Sequence, residues 1–172
     1  MASSAGHFPA SLLRGAVRAG VDACVYLPDS CLTSVIRAFQ SSGKITMVPC
    51  AREDEGVAIA VGLELGGRNA VCLMEASGIG YSALILARAQ VQRTPVVIVA
   101  SHTGGAGEPY DYHSATALLA RGMFAGLSIP HEVATEGQSI EALIYRVVQT
   151  ARAQRTSFGL LIPPYVASEA AV

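Results

Sequence analysis

The chain has 172 residues, of which 51% are hydrophobic and only 15% charged, and it carries a net charge of −1. That length suits a single domain, residues 1–172, with a large core, and an isoelectric point near 6.4 excludes the basic footprint of a nucleic-acid binder. No apolar run approaches the roughly 20 residues needed to span a bilayer, so the high mean hydropathy of +0.42 is assigned to a large buried interface rather than to a membrane.

Met1 to Pro9 lacks the charged start and apolar core of a signal peptide, which predicts a cytoplasmic protein and places His7 in a frayed terminus. A first helix is predicted over Pro9–Ala19 and a first strand over Ala23–Leu27. Leu27-Pro28-Asp29-Ser30 follows, with Asp29 or Ser30 able to cap a helix over Ser30–Ser41. A strand over Ile45–Val48 leads to the most informative segment, Arg52-Glu53-Asp54-Glu55-Gly56-Val57-Ala58-Ile59-Ala60-Val61-Gly62. Three carboxylates open a helix there, Glu53–Gly66, where free N–H groups and the dipole favour them. Asp54 and Glu55 read as simple complements of that dipole. Glu53, Gly56 and Ala60 share one stripe, and the absence of charge between Glu55 and Glu64 predicts a buried helix. A carboxylate in such a setting can share a proton with a basic ligand.

Further strands are predicted over Ala70–Met74, Val96–Ala100, His131–Ala134 and Gly159–Ile162, with helices over Gly80–Val91, Ser114–Ala125 and Ser139–Ala153, the last capped by Ser139. The strand runs are short and continuously apolar, as in a parallel sheet covered on both faces. The predicted fold is a three-layer, doubly wound α/β domain with a six-stranded parallel sheet. After the third strand comes Glu75-Ala76-Ser77-Gly78-Ile79-Gly80, whose glycines permit close backbone approach. The long loop Ser101–His113, with Gly104, Gly105, Gly107 and Pro109, carries His102 and His113 as candidate proton donors or anion contacts. Tyr110, Asp111 and Tyr112 are candidates to join them. His131 reads as the start of a strand.

Several chemistries are excluded. The first strand is not followed by G-x-G-x-x-G, so a nicotinamide-binding reading fails. Glu75 occupies the first glycine position of a G-x-S-x-G elbow, which removes Ser77 as a hydrolase nucleophile. Lys44 is the only lysine, so no phosphate-loop lysine exists. Cys24, Cys31, Cys50 and Cys72 form no C-x-x-C pair and read as small buried residues rather than zinc ligands. No metal ligands are predicted.

The ordered set of motifs resembles the pyrimidine-binding (Pyr) domain of thiamine-diphosphate-dependent decarboxylases, in particular the α subunits of sulfopyruvate and phosphonopyruvate decarboxylases. Leu27-Pro28-Asp29-Ser30 is similar to the family's first-strand exit. Glu53 stands nine residues before Gly62, the spacing of the family's cofactor-activating glutamate and its downstream glycine. Ser77-Gly78-Ile79-Gly80, Thr94-Pro95, Ser101-His102 and Gly107-Glu108 also match, so the likeness spans roughly residues 10–165. The resemblance implies thiamine diphosphate as cofactor, held in part by Glu53, Pro28, Ser77, Gly78 and Gly80. It gives Glu53, His102 and His113 catalytic roles, with Glu53 bonding the ring nitrogen of the aminopyrimidine. The family holds Mg2+ and diphosphate through a Gly-Asp-Gly motif, and none occurs here. The implied partner is therefore a β subunit bearing the diphosphate-binding (PP) domain, in a hetero-oligomer that decarboxylates a small 2-oxo acid. An acidic substrate is implied by the resemblance, but Glu75-Ala76 replaces the relatives' Gln-Asn, Thr103-Gly104 replaces a basic residue, and an ionised Glu75 would repel a dianion. Two alternatives use the same sequence: a thiamine carboligase subunit, and a non-catalytic α/β interaction protein.

Overall fold

The computed structural model describes residues 7–106 and 108–167. Gly107, counted above in the loop and in the family motifs, lies outside the described residues, as does most of the Met1–Pro9 segment.

Six parallel strands form one sheet in the order β2-β1-β3-β4-β6-β5. They are β1 (Ala23–Tyr26), β2 (Thr46–Pro49), β3 (Ala70–Glu75), β4 (Val97–Ser101), β5 (His131–Val133) and β6 (Phe158–Ile162). The helices are α1 (His7–Arg18), α2 (Thr33–Ser42), α3 (Glu53–Leu65), α4 (Gly78–Tyr81), α5 (Ala83–Gln92), α6 (Ser114–Gly126), α7 (Ile140–Gln154) and α8 (Pro164–Ala167). The period-2 alternation of a strand sends neighbouring residues to opposite faces. Val71, Leu73, Val97 and Val99 accordingly join a core with α1, α2, α7 and α8. Cys72, Met74, Ile98 and Ala100 join a second core with α3, α5 and α6. Both faces are covered, so the three-layer doubly wound arrangement predicted from the apolar strand runs is the observed one.

The crossing directions of the connections place the site. β1 leads into α2 on one face, while its neighbour β3 leads into α4 and α5 on the other. β4 leads into α6 and its neighbour β6 into α8, again on opposite faces. Where adjacent connections part in this way a crevice opens at the carboxyl ends of the strands. The sheet therefore has two such crevices, β1/β3 and β4/β6.

Helix α3 corrects one expectation. Only Gly56, Val57 and Ala60 are buried, whereas Ala58, Gly62 and Leu65 are exposed, Leu65 at 66%. The small stripe faces inward as expected: a Cβ on Gly56 would lie 2.9 Å from Cys50 Sγ and 3.4 Å from Cys72 Sγ. The opposite side of α3 is uncovered because nothing among the described residues packs on it. No atom approaches within 4 Å of where a Gly62 Cβ would be.

Four other expectations shift. The predicted helix Gly80–Val91 is two helices, because Ser82 Oγ donates to Gly78 O (2.9 Å) and ends α4. α2 begins at Thr33 rather than Ser30, because Asp29 organises the preceding turn, accepting from Leu32 N (2.8 Å) on its side chain and from Thr33 Oγ1 (2.9 Å) on its carbonyl. His7 starts α1 instead of belonging to a frayed end, and α8 was not foreseen. Ser139 caps α7 as expected, accepting from Ala142 N. The cysteines are all free; Cys24 and Cys72 are buried, while Cys31 and Cys50 are only partly so.

Candidate functional site

Glu53 is the first residue of α3, placed by the short β2–α3 turn at the carboxyl edge of the sheet. The three neighbouring carboxylates divide their work. Asp54 binds Arg52 through both oxygens, at 3.0 and 3.1 Å, and also accepts from Glu55 N. Glu55 reaches back to accept from Ala51 N at 2.8 Å, as the glutamate of a capping box does. Both therefore have the structural role expected of them. The carboxylate of Glu53 has no hydrogen bond or ion pair among the described residues, although the side chain is half-buried.

What holds Glu53 is a glycine. A Cβ on Gly78 would coincide with Glu53 Cγ and stand 2.6 Å from its Cδ. The methylenes of Glu53 thus lie directly on the Gly78 backbone. The turn after β3, in the β1/β3 crevice, gives up a side chain so that the helix start can come this close. Tyr81, exposed on α4, flanks the spot with its ring centroid 6.0 Å from the Arg52 guanidinium carbon. Of the other residues expected to hold a cofactor, Pro28 is exposed on the rim after β1 and Ser77 is half-buried beside Gly78. Ser77 makes no side-chain cap to α4. A Cβ on Gly80 would make only ordinary contact with Leu119, so no close approach within this chain explains that glycine.

His102 and His113 lie beyond β4, towards the β4/β6 crevice. His102 N donates to Ile162 O at 2.8 Å, which fixes the backbone across the two strands. Its Nδ1 is buried with no hydrogen-bond partner among the described residues. Burial first, then the charges of Arg121 and His131, lowers its pKa below the ordinary 6.5, so the ring is held neutral. His113 is occupied differently. Its Nδ1 lies 2.8 Å from Glu108 Oε1, an ion pair when the ring is protonated but without hydrogen-bond geometry, and its carbonyl sits against Gly104, which has φ +82. For Glu108, burial pushes upward but is outweighed by His113 and by the N–H groups of Gly104 and Tyr110, and its pKa is lowered. Tyr110 and Tyr112 stack on each other at 5.5 Å beside the His113 ring, both exposed. Of the two histidines, His102 lines a cavity and His113 is engaged in holding its own loop.

Two further contacts complete the rim. Ser101, buried at the end of β4, donates from Oγ to Asp29 Oδ2 at 3.0 Å, tying the β1 exit to β4 across β3. Thr116 on α6 donates to Glu75 Oε1 at 3.1 Å. Neither contact was read from sequence; only the position of Asp29 straight after a strand and a proline signalled a turn-forming role. The rim is acidic. Burial first, then Asp29, raises the Cys31 thiol, with Glu75 and Glu108 adding to the rise and a Ser30 hydrogen bond opposing it. Arg52, beside Glu53, is taken by Asp54.

Residues 9–121 match the family described as thiamine pyrophosphate enzyme, N-terminal TPP binding domain. A sulfopyruvate decarboxylase subunit alpha from Methanothermobacter thermautotrophicus is 34% identical over 91 residues, 52% of this chain and 55% of that protein. One from Methanococcus maripaludis is 35% identical over 86 residues, 49% of this chain and 52% of that protein. The chain thus spans about half the length of the curated relatives it matches. Among solved structures, a 2-oxoglutarate:ferredoxin oxidoreductase from Magnetococcus marinus superposes with a TM-score of 0.76 at 15% identity, covering 92% of this chain and 29% of the other. That likeness establishes the shared fold.

The Glu53–Gly78 contact predicts strong coupling. Gly78→Ala is expected to cost about 1–3 kcal/mol of stability by overpacking. In a Glu53→Gly background most of that cost disappears, giving a coupling of about 1 kcal/mol or more in a double-mutant cycle by urea unfolding. Simple additivity would show that the two residues do not touch. His102 predicts a pH dependence. Its folded pKa lies below its unfolded value, so the fold gains from it above about pH 6.5 and loses that gain as pH falls through the folded pKa. NMR titration is expected to place His102 below 6.5, and His102→Gln to flatten the fall in stability on acidification. A His102 midpoint at or above 6.5 would contradict the assignment.

Proposed function

The chain belongs to the thiamine pyrophosphate enzyme family as an N-terminal TPP binding domain, and on that premise we propose that it is the α subunit of a two-subunit, thiamine-diphosphate-dependent 2-oxo acid decarboxylase. The observation that carries this reading is Glu53. It is the one carboxylate of its cluster left without a partner, and it is held in place by the bare backbone of Gly78 at the mouth of a crevice. A half-buried, unpaired carboxylate beside a glycine surface fits a flat aminopyrimidine ring, whose basic nitrogen would supply the missing proton-sharing partner.

Thiamine diphosphate, when bound, supplies a carbon nucleophile and an electron sink for loss of carbon dioxide from a 2-oxo acid. The contribution of this chain is positioning and proton control. Glu53 would share a proton with the ring nitrogen, and the Gly78 contact fixes where its carboxylate stands. His102, neutral and lining the cavity beyond β4, is the second group proposed to hold a proton near the substrate. His113 acts at one remove, holding the loop through Glu108. Pro28, Ser77 and Gly80 are the other residues that would hold the ring.

The partner in this reading is a β subunit carrying the diphosphate-binding domain with its Mg2+. The relatives are named as subunit alpha, and no Gly-Asp-Gly occurs in these 172 residues. The outer surface of the α3–α5–α6 layer supports it. Leu65 on α3, Leu84 and Val91 on α5 and Leu118 on α6 are 63–86% exposed, more apolar surface than a lone domain usually leaves open. The proposed setting is cytoplasmic; no helix among the described residues is long and apolar enough to cross a membrane.

Glu53→Gln in the assembled complex is expected to lower turnover about 10²–10⁴-fold, the usual loss for an acid–base group, while sedimentation shows assembly unchanged. A variant that keeps more than about a tenth of the wild-type rate would remove Glu53 from this role.

A further inference from the structure

We propose that the β4/β6 crevice receives the tail of the substrate and that this tail is uncharged and apolar, not a sulfonate or phosphonate; the inference rests on the decarboxylase reading above. A cavity of about 390 Å3 opens there, within the size range of small-molecule sites. Its walls are Pro109 from the loop, Val133 at the end of β5, and Pro163, Pro164 and Tyr165 after β6. Pro163 is buried, and three prolines with a β-branched side chain make a wall that gives little on binding. The cavity lies on the same carboxyl edge of the sheet as Glu53, with β3 and β4 between them. Glu75 and Ser101 are register partners on β3 and β4; His102 follows one, and the Ser77–Gly78 turn follows the other. With neighbouring strands about 4.8 Å apart, two strand spacings, about 10 Å, separate the β1/β3 crevice at Glu53 from the β4/β6 crevice that would take the tail.

Charge decides the tail. The polar side chains lining the cavity are His102, held neutral, Glu108 and Tyr165. Among the described residues neither lysine nor arginine lines it. Glu75 and Asp29 add negative charge along the same rim, close enough to act on Cys31 together with Glu108. Arg121, exposed on α6 and not among the lining residues, acts on His102 by its charge. Arg52 is bound by Asp54, and Lys44 lies with Arg14 and Arg18 in the groove between α1 and the end of α2. A sulfonate or phosphonate placed here would face carboxylates and lose its hydration without a paired cation, an arrangement that buried charges do not tolerate. An apolar tail gains about fourfold in affinity for each methylene removed from water.

The test uses the native complex, recovered through a tag on this chain and assayed for carbon dioxide release from 4-methyl-2-oxopentanoate, phenylpyruvate, sulfopyruvate and phosphonopyruvate. The expected result is a kcat/KM at least tenfold higher for the two apolar acids, with Val133→Arg moving the preference at least tenfold towards sulfopyruvate. Parity, or preference for sulfopyruvate or phosphonopyruvate in the wild-type complex, overturns the proposal and shows that the partner supplies the cation. If none of the four acids is decarboxylated, the decarboxylase reading falls instead. The cavity is then judged by NMR of the labelled chain. Shifts of His102 and Val133 with 4-methyl-2-oxopentanoate but not with sulfopyruvate uphold the apolar cavity, and their absence overturns that as well.

Discussion

The side chain of Glu53 resting on the backbone of Gly78 is the contact on which the rest of the site depends. It joins the start of α3 to the turn after β3, and it exists only because residue 78 has no side chain and because Gly56 lets α3 descend onto β1 and β3. With Asp54 and Glu55 satisfying the helix start, the one carboxylate held by this contact is also the one with no partner. That arrangement is what supports the proposed ligand role, since no hydrogen bond or salt bridge among the described residues uses this carboxylate.

The sheet wiring then sets where the chemistry can extend. Two crevices open at the carboxyl edge, one holding Glu53 and one holding His102, with β3 and β4 between them. The Asp29–Ser101 and Glu75–Thr116 hydrogen bonds brace the rim across three strands and α6. The two helix layers differ in character. The layer of α1, α2 and α7 carries paired charges such as Arg14–Glu141, whereas the α3, α5 and α6 layer shows leucine and valine outward. Glu53 starts the first helix of that more apolar layer, which is where the proposed partner surface would meet it.

Much of this was legible in the sequence. The continuous apolar strands gave the doubly wound sheet because burial on both faces removes alternation, and the acidic start of α3 with its small stripe singled out Glu53. Other features were hidden for physical reasons. The absence of charge along α3 reads the same whether the helix is buried in its own domain or against a partner, so its uncovered face was not foreseen. The break at Ser82 turns on one hydroxyl bonding back to Gly78 O, which no periodicity records. Asp29 and Ser101 are 72 residues apart in sequence and meet only because β1 and β4 flank β3. The likeness of His102 and His113 in sequence also conceals their difference: one imidazole lines the cavity and the other lies 2.8 Å from Glu108 in its own loop.

The central claim is that Glu53 governs proton movement at bound thiamine diphosphate, and it can be tested without any substrate. The measurement is the rate at which the C2 proton of thiamine diphosphate exchanges with deuterated solvent in the assembled complex, compared between wild type and Glu53→Gln at saturating cofactor. The account predicts an exchange rate at least about 100-fold slower in the variant, the lower end of the loss expected for a missing acid–base group. An unchanged exchange rate with cofactor bound would contradict it.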